Sequence, residues 1–303
     1  MVTARQDNPY IGRFAPSPTG PLHFGSLLAA TASYLQARKA GGQWLVRIED
    51  IDPPREQPGS DKLILDTLEA YGFEWDGAVS YQSSCHDSHL AAIDSLIANG
   101  LAYPCSCSRR DLSGLPKGSL GTIYPGSCRS ATVSGSAAIR VRTNDDPIEF
   151  VDRLQGHLTT RLETESGDFV IRRRDGLVAY HLAVVRDDAD QGITEVVRGI
   201  DLLDTTPRHI HLQNLLGIPT PAYVHIPVAE NSAGQKLSKL TGAPAVSTKN
   251  VSKTLHSALL ALNQRVPSEM SNGSLEGIWD WAIEHWHLPA LADQKNIAPQ
   301  HYC

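Results

Sequence analysis

The chain has 303 residues, 41% of them hydrophobic, a formal net charge of −6 and a pI of about 6.0. That is enough for a substantial core in one large domain or two modest ones, and it excludes a generally basic nucleic-acid binder; an RNA partner would have to be met by a local patch. No apolar run is long enough to span a bilayer, Met1 to Pro9 lacks the apolar centre of a signal peptide, and five cysteines argue against a disulfide scaffold and for a reducing cytoplasm.

In chain order, Tyr10 to Phe14 is a short apolar run that reads as a buried strand. Pro16, Pro18, Gly20 and Pro21 then forbid regular structure, and from Leu22 the pattern is helical, with Leu27, Leu28 and Leu35 among alanines. Strand, rigid loop and helix form the first crossover of a nucleotide-binding sheet, where phosphates meet backbone N–H groups at a helix N-terminus. After Gly41-Gly42 a second strand, Trp44 to Ile48, ends in Glu49-Asp50-Ile51-Asp52-Pro53. Helices are expected over Asp61–Tyr71, closed by Gly72, and over Ser88–Asn99, closed by Gly100. This β-α-β-α rhythm predicts an α/β fold with a parallel sheet.

Residues 105 to 175 break the rhythm with clustered Cys, Gly, Ser and Pro and short alternating runs such as Ala138–Arg142 and Phe169–Arg174, as in an inserted β-rich lobe. The α/β pattern returns at Leu177–Val185, a strand or buried helix, then a strand at Ile193–Val197, a helix at Pro207–Leu216 and a strand at Val224–Val228. From Val251 a small helical lobe follows, rich in tryptophan at Trp279, Trp281 and Trp286. The expected division is 1–104 and 176–245 for the two halves of a Rossmann-type catalytic domain, 105–175 for the insert and 246–303 for the helical lobe.

No G-x-G-x-x-G and no Walker lysine follows the first strand. His23 and Gly25 stand at the helix entrance instead. Gly25 leaves room for adenine or ribose against the backbone, and His23 can donate to a phosphate in its transition state. Far downstream, Gly234-Gln235-Lys236-Leu237-Ser238-Lys239 concentrates positive charge in a turn, which suits a triphosphate whose pyrophosphate leaves. Taken alone, His23 could be a helix cap and the lysines a solvated turn.

Together these two runs resemble the "HIGH" and "KMSKS" signatures of class I aminoacyl-tRNA synthetases in their glutamyl and glutaminyl branch, with Ser26 in place of the last histidine, where this branch varies, Leu237 in the methionine position and Leu240 at the variable last position. Tyr180–Val185 and Val197–Leu203, continuing through Thr206-Pro207-Arg208 to Gly217, resemble the amino-acid-binding half of glutamyl-tRNA synthetases. The resemblance implies ATP contacts at Pro16, Thr19, Gly20, His23, Gly25, Lys236, Ser238 and Lys239, with His23, Lys236 and Lys239 catalytic and Mg2+ accompanying ATP. It implies a glutamate pocket of Arg13, Ala15, Ser17, Glu49, Tyr180 and Arg198. The chemistry agrees, since arginine forks suit carboxylates and a carboxylate suits an ammonium group.

Cys105-Ser106-Cys107 and Cys128 have the spacing of a structural zinc site, which needs a fourth ligand. Tyr124, Cys85, His86 and His89 are candidates on sequence; the resemblance selects Tyr124. Cys85 otherwise reads as a buried thiol and Cys303 as incidental. The chain stops without the large helical anticodon-reading domain of ordinary glutamyl enzymes, and in this it is similar to the glutamyl-queuosine tRNA(Asp) synthetases. That family implies a monomer that activates glutamate without tRNA and transfers it to the cyclopentenediol of queuosine at the wobble position of tRNA(Asp). A compact enzyme charging the 3′ end of tRNA, or a catalytically silent RNA-binding paralogue, are the alternatives.

Overall fold

The computed structural model describes residues 9–231, 234–237, 243–292 and 294–298. The chain opens with a parallel βαβ unit: β1 (Ile11–Phe14) and β2 (Gln43–Ile48) pair from Ile11↔Gln43 to Phe14↔Val46, with α1 (Phe24–Lys39) crossing between them. Next come α2 (Ser60–Ala70), β3 (Ser80–Tyr81), which runs parallel to β2, and α3 (His86–Ala98). The middle of the chain holds β4 (Ala102–Cys105), β5 (Lys117–Gly118), β6 (Gly121–Thr122), β7 (Ala138–Val141), the hairpin β8 (Pro147–Asp152) and β9 (Gly156–Arg161), a one-turn α4 (Leu162–Glu165), and β10 (Phe169–Arg172). The second half supplies α5 (Tyr180–Asp190), β11 (Glu195–Gly199), α6 (Thr206–Leu216), β12 (Ala222–Ile226) and β13 (Val228–Ala229). Helices α7 (Val251–Ala261) and α8 (Leu275–His285) and strand β14 (Asn296–Ile297), which pairs with β13, complete it.

The sheet is doubly wound. β3, β2 and β1 are parallel neighbours, as are β11 and β12. Thr194 joins the two halves: its N–H donates to the Ile11 carbonyl (2.9 Å), and its hydroxyl accepts from the Ile11 N–H (2.9 Å). The chain grows outward in both directions from β1 and β11, so the crevice at their carboxyl ends is the topological switch point, where open α/β sheets bind ligands.

One alternative left open by the sequence is resolved, and one expectation needs correction. Leu177–Val185, open between strand and helix on sequence, is helical from Tyr180. The strand expected at Val224–Val228 is two, broken at Pro227, which has no N–H for a ladder. Residues 105–175 contribute strands to more than one sheet. The antiparallel sheet β10–β7–β4 packs its Ile139, Val141 and Ile171 against α3, α5 and α6, whereas the β8–β9 hairpin joins the main sheet through Tyr223↔Asp152.

α1 carries no apolar stripe because it is buried on nearly every side. One side packs on the sheet. Tyr34 meets Trp44 of β2 edge-on at 5.1 Å and Trp279 of α8 at 4.8 Å, and Phe73 meets both tryptophans. The polar edges are satisfied: Trp279 Nε1 donates to the Tyr71 carbonyl (2.9 Å) and Trp286 Nε1 to Gln36 Oε1 (2.8 Å). The C-terminal helices therefore share a core with the parallel sheet. Trp279→Ala should cost about 3–5 kcal/mol of stability, read as a lowered denaturation midpoint.

Candidate active site and cysteine cluster

A cavity of about 520 Å³ opens at the carboxyl ends of β1 and β11. Arg13, Ala15, Ser17, Glu49, Tyr180 and Arg198 line it, and so do Pro16, Thr19, His23, Gly25 and Lys236. Gly20, with φ of +129°, lies in the same loop but not in the lining. Ser238 and Lys239 lie outside the described residues.

The two sequence signatures meet. A β-bridge joins His23 to Ala245, the Val246 N–H donates to the Leu22 carbonyl (2.9 Å), and the Leu237 N–H donates to the Ala229 carbonyl (2.7 Å). A Cβ on Gly25 would stand 3.1 Å from His23 Cε1 and 3.6 Å from the Leu237 carbonyl oxygen, so glycine lets the imidazole fold back over the helix entrance. His23 Nδ1 accepts from the Ser26 N–H (3.2 Å) and caps α1 in this structure. Lys236 Nζ is held by Asp201 at 2.5 Å.

The two arginines sit in opposite electrostatic settings. Arg13 is forked onto Asp188 (3.0 and 3.3 Å), and Asp188 is shared with buried Arg47 (2.7 Å). Burial opposes ionisation of Asp188, but Arg13 and Arg47 hold its carboxyl below the usual range. Burial pushes the Glu49 carboxyl up, against the pull of Arg47 and Arg13. An incoming ammonium group would help stabilise that carboxylate.

Arg198 is also buried, yet no carboxylate among the described residues lies within ion-pairing distance of it. Its Nε donates to His225 Nε2 (3.0 Å), and its Nη2 donates to Thr206 Oγ1 (2.7 Å), Thr205 Oγ1 (3.2 Å) and the Leu202 carbonyl (3.2 Å). Nη1 is held more loosely, by the Tyr180 hydroxyl and His209 Nδ1, both at 3.3 Å.

Sequence reasoning missed Asp188, Arg47, Asp201, Thr206, His209 and His225. Two signals were available. Asp188 lies eight residues after Tyr180, on the same helical face, and His225 is the in-register partner of Arg198 on the neighbouring strand.

In the middle of the chain the three sulfurs of Cys105, Cys107 and Cys128 lie within 4.8 Å of one another. The Tyr124 hydroxyl stands 3.4 Å from Cys105 Sγ and 3.5 Å from Cys107 Sγ, and accepts from the Cys128 N–H (3.1 Å). Gly167 makes this possible: a Cβ there would come 2.0 Å from the Tyr124 carbonyl oxygen, and its φ of +59° suits glycine. Burial raises the Cys128 thiol, but the Tyr124 hydroxyl and the Ser106 N–H outweigh it and bring it down to about 7. Arg140 Nε donates to Cys105 Sγ (3.3 Å), and its guanidinium covers the Tyr124 ring at 3.9 Å. Three sulfurs and a phenol oxygen converge with edges near the ~3.8 Å expected of a tetrahedron with ~2.3 Å metal–sulfur bonds. The three close cysteines could hold a metal ion.

The competing fourth ligands are placed elsewhere. His89 Nε2 donates to Asp187 Oδ1 (2.6 Å), His86 starts α3, and Cys85 is partly exposed rather than buried, with its thiol raised first by desolvation and then by Asp187.

The buried histidines set a pH limit. Burial, then Arg208 and Arg198, bring His181 down to about 3, and burial and Arg198 hold His209 well below its ordinary value. Both are neutral in the folded chain, whereas the unfolded chain protonates them near pH 6.5. The unfolded state then binds more protons, so stability is full above pH 6.5 and is lost as pH falls towards 3. The melting temperature should fall between pH 6.5 and 4.5, before carboxylates titrate, and His181→Gln should flatten that slope.

The description "tRNA synthetases class I (E and Q), catalytic domain" fits a family model that matches residues 11–265. The glutamyl-Q tRNA(Asp) synthetase of Pseudomonas aeruginosa is 52% identical over 278 residues, 91% of this chain and 93% of that protein. Its counterpart in Thiobacillus denitrificans is 52% identical over 291 residues, 95% and 97% of the two chains. A glutamate tRNA ligase from Elizabethkingia meningosepticum, solved in complex with its amino acid, has the same fold (TM-score 0.80, 22% identity, 97% of this chain and 68% of that one). With its switch-point cavity and its two converging signatures, the chain belongs to the class I tRNA synthetases of the E and Q type, among the relatives called glutamyl-Q tRNA(Asp) synthetases.

Proposed function

We propose that the switch-point cavity activates L-glutamate with ATP, without tRNA, and that the glutamate then passes to queuosine in tRNA(Asp). The observation that carries this is one cavity lined by Arg13, Glu49, Tyr180 and Arg198 on one hand and by His23, Gly25 and Lys236 on the other. Its volume falls in the range of small-molecule sites. The names of relatives that match almost end to end support the acceptor.

In the first step a glutamate α-carboxylate oxygen attacks the α-phosphorus of ATP. The bond to the β-phosphate bridging oxygen breaks, giving glutamyl-adenylate and pyrophosphate. Glu49 holds the substrate ammonium group, Arg13 and Arg198 serve the carboxylates, and Ala15 and Ser17 close the floor. His23, released from its cap on Ser26, donates to the α-phosphate. Lys236, released from Asp201, meets the pyrophosphate together with Lys239. Mg2+ supplies charge neutralisation along the triphosphate. In the second step a hydroxyl oxygen of the cyclopentenediol attacks the acyl carbon of the mixed anhydride, its proton is lost, and AMP leaves.

Radiolabelled glutamate should appear in tRNA(Asp) that carries queuosine and not in queuosine-free tRNA(Asp). Label that appears equally in both would point to the 3′ end and to a compact glutamyl-tRNA synthetase. Glutamate-dependent ATP–pyrophosphate exchange without tRNA should be measurable, and its absence would favour a silent RNA-binding paralogue. Lys236→Ala and Lys239→Ala should each slow that exchange at least tenfold, over ~1.4 kcal/mol of transition-state stabilisation.

For the cysteine cluster we infer one structural zinc, held by Cys105, Cys107, Cys128 and Tyr124. Tetrahedral S-rich donor sets favour this ion, and four protein ligands leave no open position. Free thiols in this arrangement suit a reducing cytoplasm. Elemental analysis should find about one zinc per chain. Its removal by a chelator should lower the melting temperature, and Cys107→Ser should abolish retention. Zinc content unchanged in Cys107→Ser would remove that residue from the ligand set.

A further inference from the structure

The surroundings of Arg198 are unusual for a buried guanidinium. A buried charge is ordinarily paired with an opposite one. Arg13 and Arg47 follow that rule through Asp188. Arg198 receives a hydroxyl from each of Thr205, Thr206 and Tyr180, a carbonyl from Leu202 and a ring nitrogen from each of His209 and His225. All of these are neutral acceptors if both histidines are uncharged.

The ring contacts fix that state. Asp152 Oδ2 lies 2.7 Å from His225 Nδ1 and takes its proton in a hydrogen bond, which leaves Nε2 as the lone pair that Arg198 Nε uses at 3.0 Å. His209 accepts from Arg198 at Nδ1, so its Nε2 carries the proton and donates to His181 Nδ1 at 3.2 Å. The nearby acids are committed elsewhere: Asp201 to Lys236, Asp188 to Arg13 and Arg47, and Asp152 to the far side of the His225 ring.

We propose that Thr205, Thr206, His209 and His225 determine substrate specificity as positioning residues, by fixing Arg198 with neutral acceptors alone, so that the side-chain carboxylate of the amino acid is its first anionic partner. This rests on the reading that the cavity binds glutamate. An amide such as glutamine can accept one N–H from the loosely held Nη1 but leaves the charge uncompensated. The discrimination therefore lies in keeping a carboxylate out of the protein's own shell around Arg198.

The test is to supply that carboxylate from the protein. Thr205 is the N-cap residue of α6 and Thr206 its first residue, positions where aspartate is favourable, so Thr205→Asp and Thr206→Asp should fold. Calorimetric titration of each variant with glutamate and with glutamine is the readout, with thermal melting as the check on folding. Either aspartate variant should weaken glutamate binding at least tenfold without weakening glutamine binding, so that the preference collapses. Thr206→Ser should keep it.

Arg198→Gln separates this idea from the reading beneath it. If Arg198→Gln leaves glutamate affinity intact, the assignment of the pocket itself fails. If Arg198→Gln loses glutamate while both folded aspartate variants keep the wild-type preference, the pocket stands and the neutral-shell proposal is overturned. A folded aspartate variant that loses glutamate and glutamine equally also overturns it, since that marks steric damage.

Discussion

Two guanidinium groups are held at the carboxyl ends of adjacent central strands, and most of the site follows from what it takes to bury them. A guanidinium removed from water needs either an anion or a full set of acceptors. Arg13 and Arg47 share Asp188 and stay rigid; Arg198 is satisfied by acceptors that carry no charge. The doubly wound topology puts both on one crevice, because β1 and β11 are where the sheet changes its direction of growth. The same crossing places the α1 N-terminus over the crevice. The α1 N-terminus and the two guanidinium groups thus become neighbours without any further device.

Much of this was legible in the sequence because it depends on local signals. Pro16, Pro18 and Pro21 enforce the loop between β1 and α1, so the strand–loop–helix reading needed no tertiary information. Gly72 and Gly100 close α2 and α3 with φ near +70°, where sequence placed the ends. Lys236 lines the cavity, whereas its expected companion Lys239 lies outside the described residues. All six proposed glutamate contacts line one cavity: Arg13, Ala15, Ser17, Glu49 and Arg198 sit at strand ends or just after them, and Tyr180 opens α5.

What stayed hidden depends on packing between segments far apart in the chain. Tyr180–Val185 is apolar enough for a buried strand, and only its position between the main sheet and β10 makes it a helix. The β8–β9 hairpin alternates like any half-exposed ribbon, and nothing local says that Asp152 will pair with β12. His209 and His225 look like ordinary polar residues in a helix and a strand. Their meaning comes from the register that sets His225 opposite Arg198, and from the crossing of α6 over the same strands.

That hidden layer ties the middle of the chain to Arg198. Asp152, from the hairpin, orients the His225 ring that holds Arg198 Nε. Phe169, on β10, packs edge-on against His181 at 5.6 Å, and His181 accepts from His209, the other ring on Arg198. Tyr103 and Arg129 anchor Asp168 beside Phe169, and Arg140 ties the Asp168 carbonyl to Cys105. A continuous set of contacts therefore runs from the cysteine cluster to the cationic wall of the cavity. The core that holds α1 and Trp279 also takes in Val197 of β11 and Val224 and Ile226 of β12, so the strands that carry Arg198 and His225 are braced from that side as well.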